Sequence, residues 1–297
     1  MNHAVAKTIF LSLLLSFPAI SLLLAEAAPL KVVVSILPQQ AIVEGVGGDN
    51  VEVITMVPPG IHPNTFEPSP SKMASIANAD LYVAIDLPHE RNWIPQILEI
   101  QPDLPLLHTR DFVQTRTISG HVHHDHDSHD DHADEEMVDP HIWLAAPQLR
   151  DTALAIRDKL ISMDPGRAAD YRTNADAWLK KLEAVHAAAT AKLDPFRGRA
   201  FLVFHPAWGY ISDSYGLRQI AIEQEGMPPG PRMIAKAIDT ARAEGLLTIF
   251  VQKHFSQKEA RTIAIEIGGS VTQIDPFHED PIENLQSITD ALASSFK

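Results

Sequence analysis

The sequence predicts an α/β fold of two lobes, each with a mostly parallel sheet flanked by helices, bridged by one long α-helix. Three observations lead there. Short β-branched runs alternate with helical segments from residue 31 to 100. The same alternation resumes from 200 to 274. Between the two lies an unbroken helical period. Strands that alternate with helices pair in parallel, because each crossover helix returns the chain to start the next strand in the same direction. A length of 297 residues allows two ordinary domains, and an apolar fraction of 45% is enough to bury their cores.

The elements follow in order. Residues 1–27 read as a cleaved leader. Lys7 lies in a short polar start, Ile9 to Ala25 form an apolar stretch, and Ala25-Glu26-Ala27 is a small-x-small cleavage site. The N-terminal lobe is expected over 28–164. Its strands are KVVVSI (31–36), VEVITMV (51–57) and LYVAID (81–86), with helices at 39–46, from Ser69-Pro70 to about Asn78, and at 91–100. The first of these helices should stop at Gly47-Gly48. Leu149, Ala153, Ile156, Leu160 and Met163 then recur at helical spacing, up to Asp164-Pro165. The bridging helix is expected over 165–194, with Tyr171, Ala175, Trp178, Leu182, Val185 and Ala189 on one face. Its span from Pro165 to Leu193 corresponds to about 43 Å, too long for an ordinary crossover. The C-terminal lobe is expected over 195–297, with strands AFLVF (200–204), RQIAI (218–222), LTIFV (247–251) and VTQI (271–274). Ser256 with Glu259 forms a capping box for a helix that ends at Gly268-Gly269.

Charge and cysteine usage narrow the function. The net charge is −14, and removing 1–27 takes away one lysine and one glutamate, so it stays there. That excludes nucleic acid and anionic membrane as natural partners. There is no cysteine, hence no disulfide, no thiolate metal site and no lipid-modified N-terminal cysteine. A chain exported through a cleaved signal peptide is expected to work in the periplasm, as a monomer.

Candidate ligands fall at strand ends, where sheets of this kind place their binding crevices. His205 directly follows the strand 200–204 and Asp275 follows 271–274. His62 lies in the loop after 51–57, and His141 lies in DPHIWL. Imidazoles with one carboxylate suit Zn²⁺, which prefers four tetrahedral ligands. No HExxH or CxxC pattern accompanies them.

Several segments carry a more specific signal. VVVSILPQQAIVEGVGGDNVEVITMVPPG, FEPSPSKMASIANADLYV, DPHIWL, FLVFHPAWGYISDSYGLRQIAI, IFVQKHFS and the closing IDP run in this order over nearly the whole chain after residue 27. Together they resemble the zinc- and manganese-type solute-binding proteins of ABC transporters, the ZnuA-like class with a long helix. The resemblance implies a metal held in the cleft between the lobes by histidines and a carboxylate. It assigns ligand positions to His141, His205 and Asp275, and histidine at the third position favours zinc over manganese. The first ligand departs from the family pattern PHxYEP or PHxFEP. Asn64 occupies the histidine place in PNTFEP, and a histidine stands two residues earlier at His62. Residues two apart in an extended segment point the same way, so His62 is the expected fourth ligand. Asn64, Glu90 or water are the alternatives. A second departure is PPGPRM at 228–233, where the family is more polar.

The run SGHVHHDHDSHDDHADEE (119–136) holds His121, His123, His124, His126, His129 and His132 among seven carboxylates. It has no hydrophobic period and reads as a solvated loop. Such a segment offers many near-equal ligand sets and is ordered anew by each ion. It is therefore expected to act as an accessory collector of Zn²⁺ beside His141, not as the primary site.

The expected function is a periplasmic high-affinity zinc-binding protein that delivers Zn²⁺ to an inner-membrane ABC permease with its ATPase. It is not expected to be an enzyme. Manganese or another divalent cation is the alternative cargo. A zinc-dependent hydrolase or a periplasmic zinc buffer are the alternatives of a different class.

Overall fold

The computed structural model describes residues 28–118, 138–223, 229–253 and 257–297, with the side chain of Asn64 excepted. The leader 1–27, the histidine-rich run 119–136 and the cap at Ser256 lie outside these residues.

Two four-stranded sheets share one topology. In the N-terminal lobe β1 (Leu30–Val34), β2 (Val51–Thr55), β3 (Leu81–Ala84) and β4 (Leu106–His108) are ordered β2-β1-β3-β4. In the C-terminal lobe β5 (Ala200–Val203), β6 (Arg218–Ala221), β7 (Thr248–Gln252) and β8 (Ser270–Ile274) are ordered β6-β5-β7-β8. Every pairing is parallel. The strand order reverses beside β1 and β5, and this is where such sheets open a crevice at their carboxyl ends. β3 and β5 are buried along their whole length, as strands covered on both faces must be. β4 escapes sequence patterning because it is only three residues, LLH, held by register against Tyr82, Val83 and Ala84.

The helices of the N-terminal lobe are α1 (Leu37–Gly47), α2 (Pro70–Ser75), α3 (Glu90–Ile100) and α4 (Ala146–Met163). α1 ends where Gly48 turns to φ 56°, a conformation open to glycine. α2 starts as expected, with the Ser69 hydroxyl accepting from the Lys72 N–H, but it closes at Ser75, short of Asn78. The bridge α5 (Ala168–Leu193) has 26 residues, about 39 Å of helix. Short 3-10 turns at Pro165–Arg167 and Asp194–Phe196 flank it. Tyr171, Ala175, Trp178, Leu182, Ala189 and Leu193 are its buried residues.

Past the bridge come α6 (Gly209–Tyr215), α7 (Pro231–Glu244), α8 (Gln257–Ile267) and α9 (Pro281–Ser295). The Asp280 carboxylate caps α9 by accepting from the N–H groups of Ile282 and Glu283. α9 packs along α5 and reaches α1 and the 3-10 turn Ile142–Leu144. The last helix of the chain thus leaves its own sheet and shares the core of the first lobe. The second core, around Leu202, Ile249, Val251 and Ile263, belongs to the C-terminal lobe alone. Among the described residues no helix is long and apolar enough to cross a membrane.

Candidate metal site between the lobes

His141 and His205 come from different lobes and meet edge to face, with ring centroids 5.4 Å apart. His141 closes the segment that leads into the turn Ile142–Leu144 and α4. His205 stands just past the carboxyl end of β5. Each imidazole engages a buried carboxylate through Nδ1, His141 with Asp139 at 2.8 Å and His205 with Glu223 at 3.1 Å. A neutral imidazole that donates from Nδ1 carries its lone pair on Nε2, the atom a metal would take.

Asp139 is fully buried and makes several bonds at once. Its Oδ1 accepts from the ring and from the backbone N–H of His141, and its Oδ2 accepts from Arg116 at 2.9 Å. Burial pulls its carboxyl upward, but the bonds from His141 and Arg116 outweigh that and hold it below the usual carboxylate range. Arg116 also donates to Asp213 at 2.8 Å, and the Tyr210 hydroxyl donates to the Asp139 carbonyl at 2.8 Å. Gly209 is required by this packing, since a Cβ there would collide with the Arg116 guanidinium and lie 2.8 Å from Asp139 Oδ2. Burial, followed by the nearby His205 and Arg116 charges, outweighs the pull of Asp139 and lowers the pKa of His141. The ring is therefore neutral at pH 7, the form that binds a metal.

A second tie crosses between the lobes. Trp143 Nε1 donates to the Pro276 carbonyl at 2.7 Å, and its ring stacks on Phe277 at 5.8 Å. The His62 ring meets the Phe277 ring at 5.5 Å, nearly perpendicular. Asp275 Oδ1 accepts from the Phe277 N–H at 2.8 Å. It lines a recess of about 50 Å³ together with Ile61, Pro63, Lys253 and Phe277.

Of the expected ligands, His141 and His205 are thus brought together. His62 and Asp275 stand beside Phe277, one residue group further along the cleft. Among the described residues, no three histidine, aspartate or glutamate side chains converge at metal-holding distance. The accessory histidines of 119–136 lie outside the described residues. Asn64 sits in the 3-10 turn Pro63–Thr65.

Glu90 faces the interior of the N-terminal lobe. Its Oε1 accepts from the Ser35 hydroxyl and from the Ile85 N–H, beside the Tyr82 hydroxyl, which accepts from Trp93 Nε1. Burial, opposed by those two hydrogen bonds, pushes its carboxyl up to about 7.

Sequence reasoning did not single out Asp139, Glu223, Arg116 or His89. Asp139 was within reach, being two residues before His141 in DPHIWL. Glu223 reads as the polar end of a strand, and only its 2% exposure reveals its role.

The comparisons with known proteins agree with one another. The family model described as ZnuA, zinc-uptake complex component A, periplasmic, matches residues 32–295. The zinc-binding protein AdcA of Streptococcus pyogenes serotype M1 is 27% identical over 260 residues, covering 83% of this chain and 50% of AdcA. The chain thus spans about half the length of the curated relatives of that group. The crystal structure of ZnuA superposes with a TM-score of 0.81 at 32% identity, covering 91% of this chain and 100% of that one. A zinc-bound deletion mutant of ZnuA superposes with a TM-score of 0.80 at 33% identity, covering 90% and 98%.

Proposed function

The chain belongs to the ZnuA family of periplasmic zinc-uptake components, and on that premise we propose that it captures Zn²⁺ between its lobes and delivers it to an inner-membrane ABC permease with its ATPase. The family is one of metal-binding transport components, not of enzymes, which sets the hydrolase reading aside. The observation that carries the proposal is the His141–His205 pair, one imidazole from each lobe at 5.4 Å, each held by a buried carboxylate. Two neutral imidazoles offered across a cleft suit Zn²⁺ better than Mn²⁺, which favours oxygen donors.

Asp275 completes the set from the C-terminal lobe and His62 from the N-terminal lobe. Asp275 must give up its bond to the Phe277 N–H, and the His62 loop must move inward. The ties Trp143–Pro276 and Tyr210–Asp139 span the lobes, so these are local adjustments and not a wide hinge motion. The run 119–136 gathers Zn²⁺ near the cleft, since His132 lies only nine residues before His141. Export through the cleaved leader places the protein in the periplasm, where it acts as a monomer.

The test is native mass spectrometry and chelator competition on His205→Ala. One tightly held Zn²⁺ in the parent and none in the variant is the expected result. Retention of the tight ion by the variant would refute the cleft site.

A further inference from the structure

The N-terminal lobe places a second imidazole at its sheet's carboxyl end. His89 follows β3, the strand that neighbours β1 where the order reverses. The loop reaches that position through an unusual turn. Asp86 takes φ 59°, the left-handed region, and His108 Nδ1 fixes its carboxylate at 2.8 Å. The His89 ring is 6% exposed and lies 4.9 Å from the Trp93 ring, which Phe66 packs from 5.7 Å. His89 also occupies the N-cap position of α3, yet its side chain makes no capping bond to that helix. Capping therefore does not account for an imidazole here. Packing against Trp93 does not either, since a phenyl ring would fill the same place without a polar atom to bury.

What distinguishes the position is its neighbour. His62 lies close enough that its charge opposes protonation of His89. Burial first, then that repulsion, push the His89 pKa down to about 4. Two histidines from separate loops, after β2 and after β3, thus stand together on the wall that faces Phe277 and Asp275. A mutual repulsion that appears when both are protonated turns into cooperation when one cation replaces the protons.

We propose that His89 binds the metal together with His62, so that the N-terminal lobe offers the incoming divalent cation two imidazoles from the ends of adjacent loops. This rests on the cleft reading above and adds to it a residue that sets specificity. Imidazoles at 62, 89, 141 and 205 make a nitrogen-rich donor set, which discriminates against Mn²⁺ more strongly than three imidazoles do.

The test uses the full chain with His89→Phe, which keeps an aromatic ring on Trp93, and His205→Ala in parallel. Zinc affinity is read by chelator competition, imidazole count by X-ray absorption at the zinc edge, and folding by the Tm of the metal-free protein. For His89→Phe the expected result is a loss of at least about 10-fold in zinc affinity, one imidazole fewer around zinc, a narrower preference for Zn²⁺ over Mn²⁺, and an unchanged or higher metal-free Tm. An unchanged affinity and imidazole count in His89→Phe, with tight binding abolished in His205→Ala, overturns this proposal alone. Unchanged binding in both variants overturns the cleft reading with it. Should His89→Phe fold poorly, His89→Leu supplies the same imidazole count.

Discussion

Glu223→Gln separates orientation of a ligand from stability of the fold. Glu223 is 2% exposed, and its Oε2 engages His205 Nδ1 at 3.1 Å. Among the described residues its Oε1 is buried with no hydrogen-bond partner. The amide keeps the shape and an oxygen acceptor for Nδ1–H but removes the charge. A hydrogen bond to a charged group contributes about 1.5–3 kcal/mol and a neutral one about 0.5–1.5 kcal/mol. The difference, about 1–1.5 kcal/mol, corresponds to roughly 10-fold in affinity. It falls in the range of about 10–100-fold found when an outer partner of a metal-bound histidine is changed. The metal-free protein should respond in the opposite sense, because a buried carboxylate with one unpaired oxygen costs folding energy that the amide relieves in part. Chelator competition should therefore show weaker zinc binding, while calorimetry of the metal-free protein shows an equal or higher Tm. Unchanged zinc affinity, or a loss of affinity matched by a lower metal-free Tm, would refute the reasoning.

Asp139→Asn should act differently, since it breaks a buried pair with Arg116 as well as the bond to His141. A loss of about 3 kcal/mol in metal-free stability is expected, read by urea unfolding, together with weaker zinc binding; a loss under about 1 kcal/mol would show that the pair contributes little. Glu90→Gln tests the buried acid beneath the α3 N-terminus in the metal-free protein. Its folded pKa, raised to about 7 from 4.5, means that its favourable contribution is present below about pH 4.5 and is lost as pH rises through 7. The amide should therefore match the parent near pH 4 and exceed it by about 3 kcal/mol at pH 8, and an equal gain at both pH values would contradict the assignment. Deleting 119–136 should leave one tightly bound Zn²⁺ by native mass spectrometry while removing weaker ions; loss of the tight ion would move the primary site into that run.

Much of the architecture was legible because its signals are local. KVVVSI and AFLVF announce central strands by β-branched and aromatic residues alone. The apolar spacing after Pro165 announces the bridge, whose far end Asp194-Pro195 marks. The exceptions follow from the same logic. β4 is too short to show a period, and helix α9 carries Ile282, Leu285, Ile288 and Leu292 at helical spacing, yet nothing in that spacing tells which lobe it joins. Its packing against α5 and α1 is decided by the shape of the groove there, a tertiary property. The site divides along the same line. His205 and Asp275 could be singled out because a strand immediately precedes each. The partners that orient the imidazoles could not, for their meaning depends on burial and on contacts across the fold. Glu223 lies 18 residues after His205 and reaches it only because β5 and β6 are adjacent in the sheet. His89 and His62 are 27 residues apart and become neighbours only where the loops after β2 and β3 converge. DLPHE reads as the entrance to a helix, and that is what it is. The sequence hides the fact that the same residue is buried against Trp93, where an imidazole is the costlier choice.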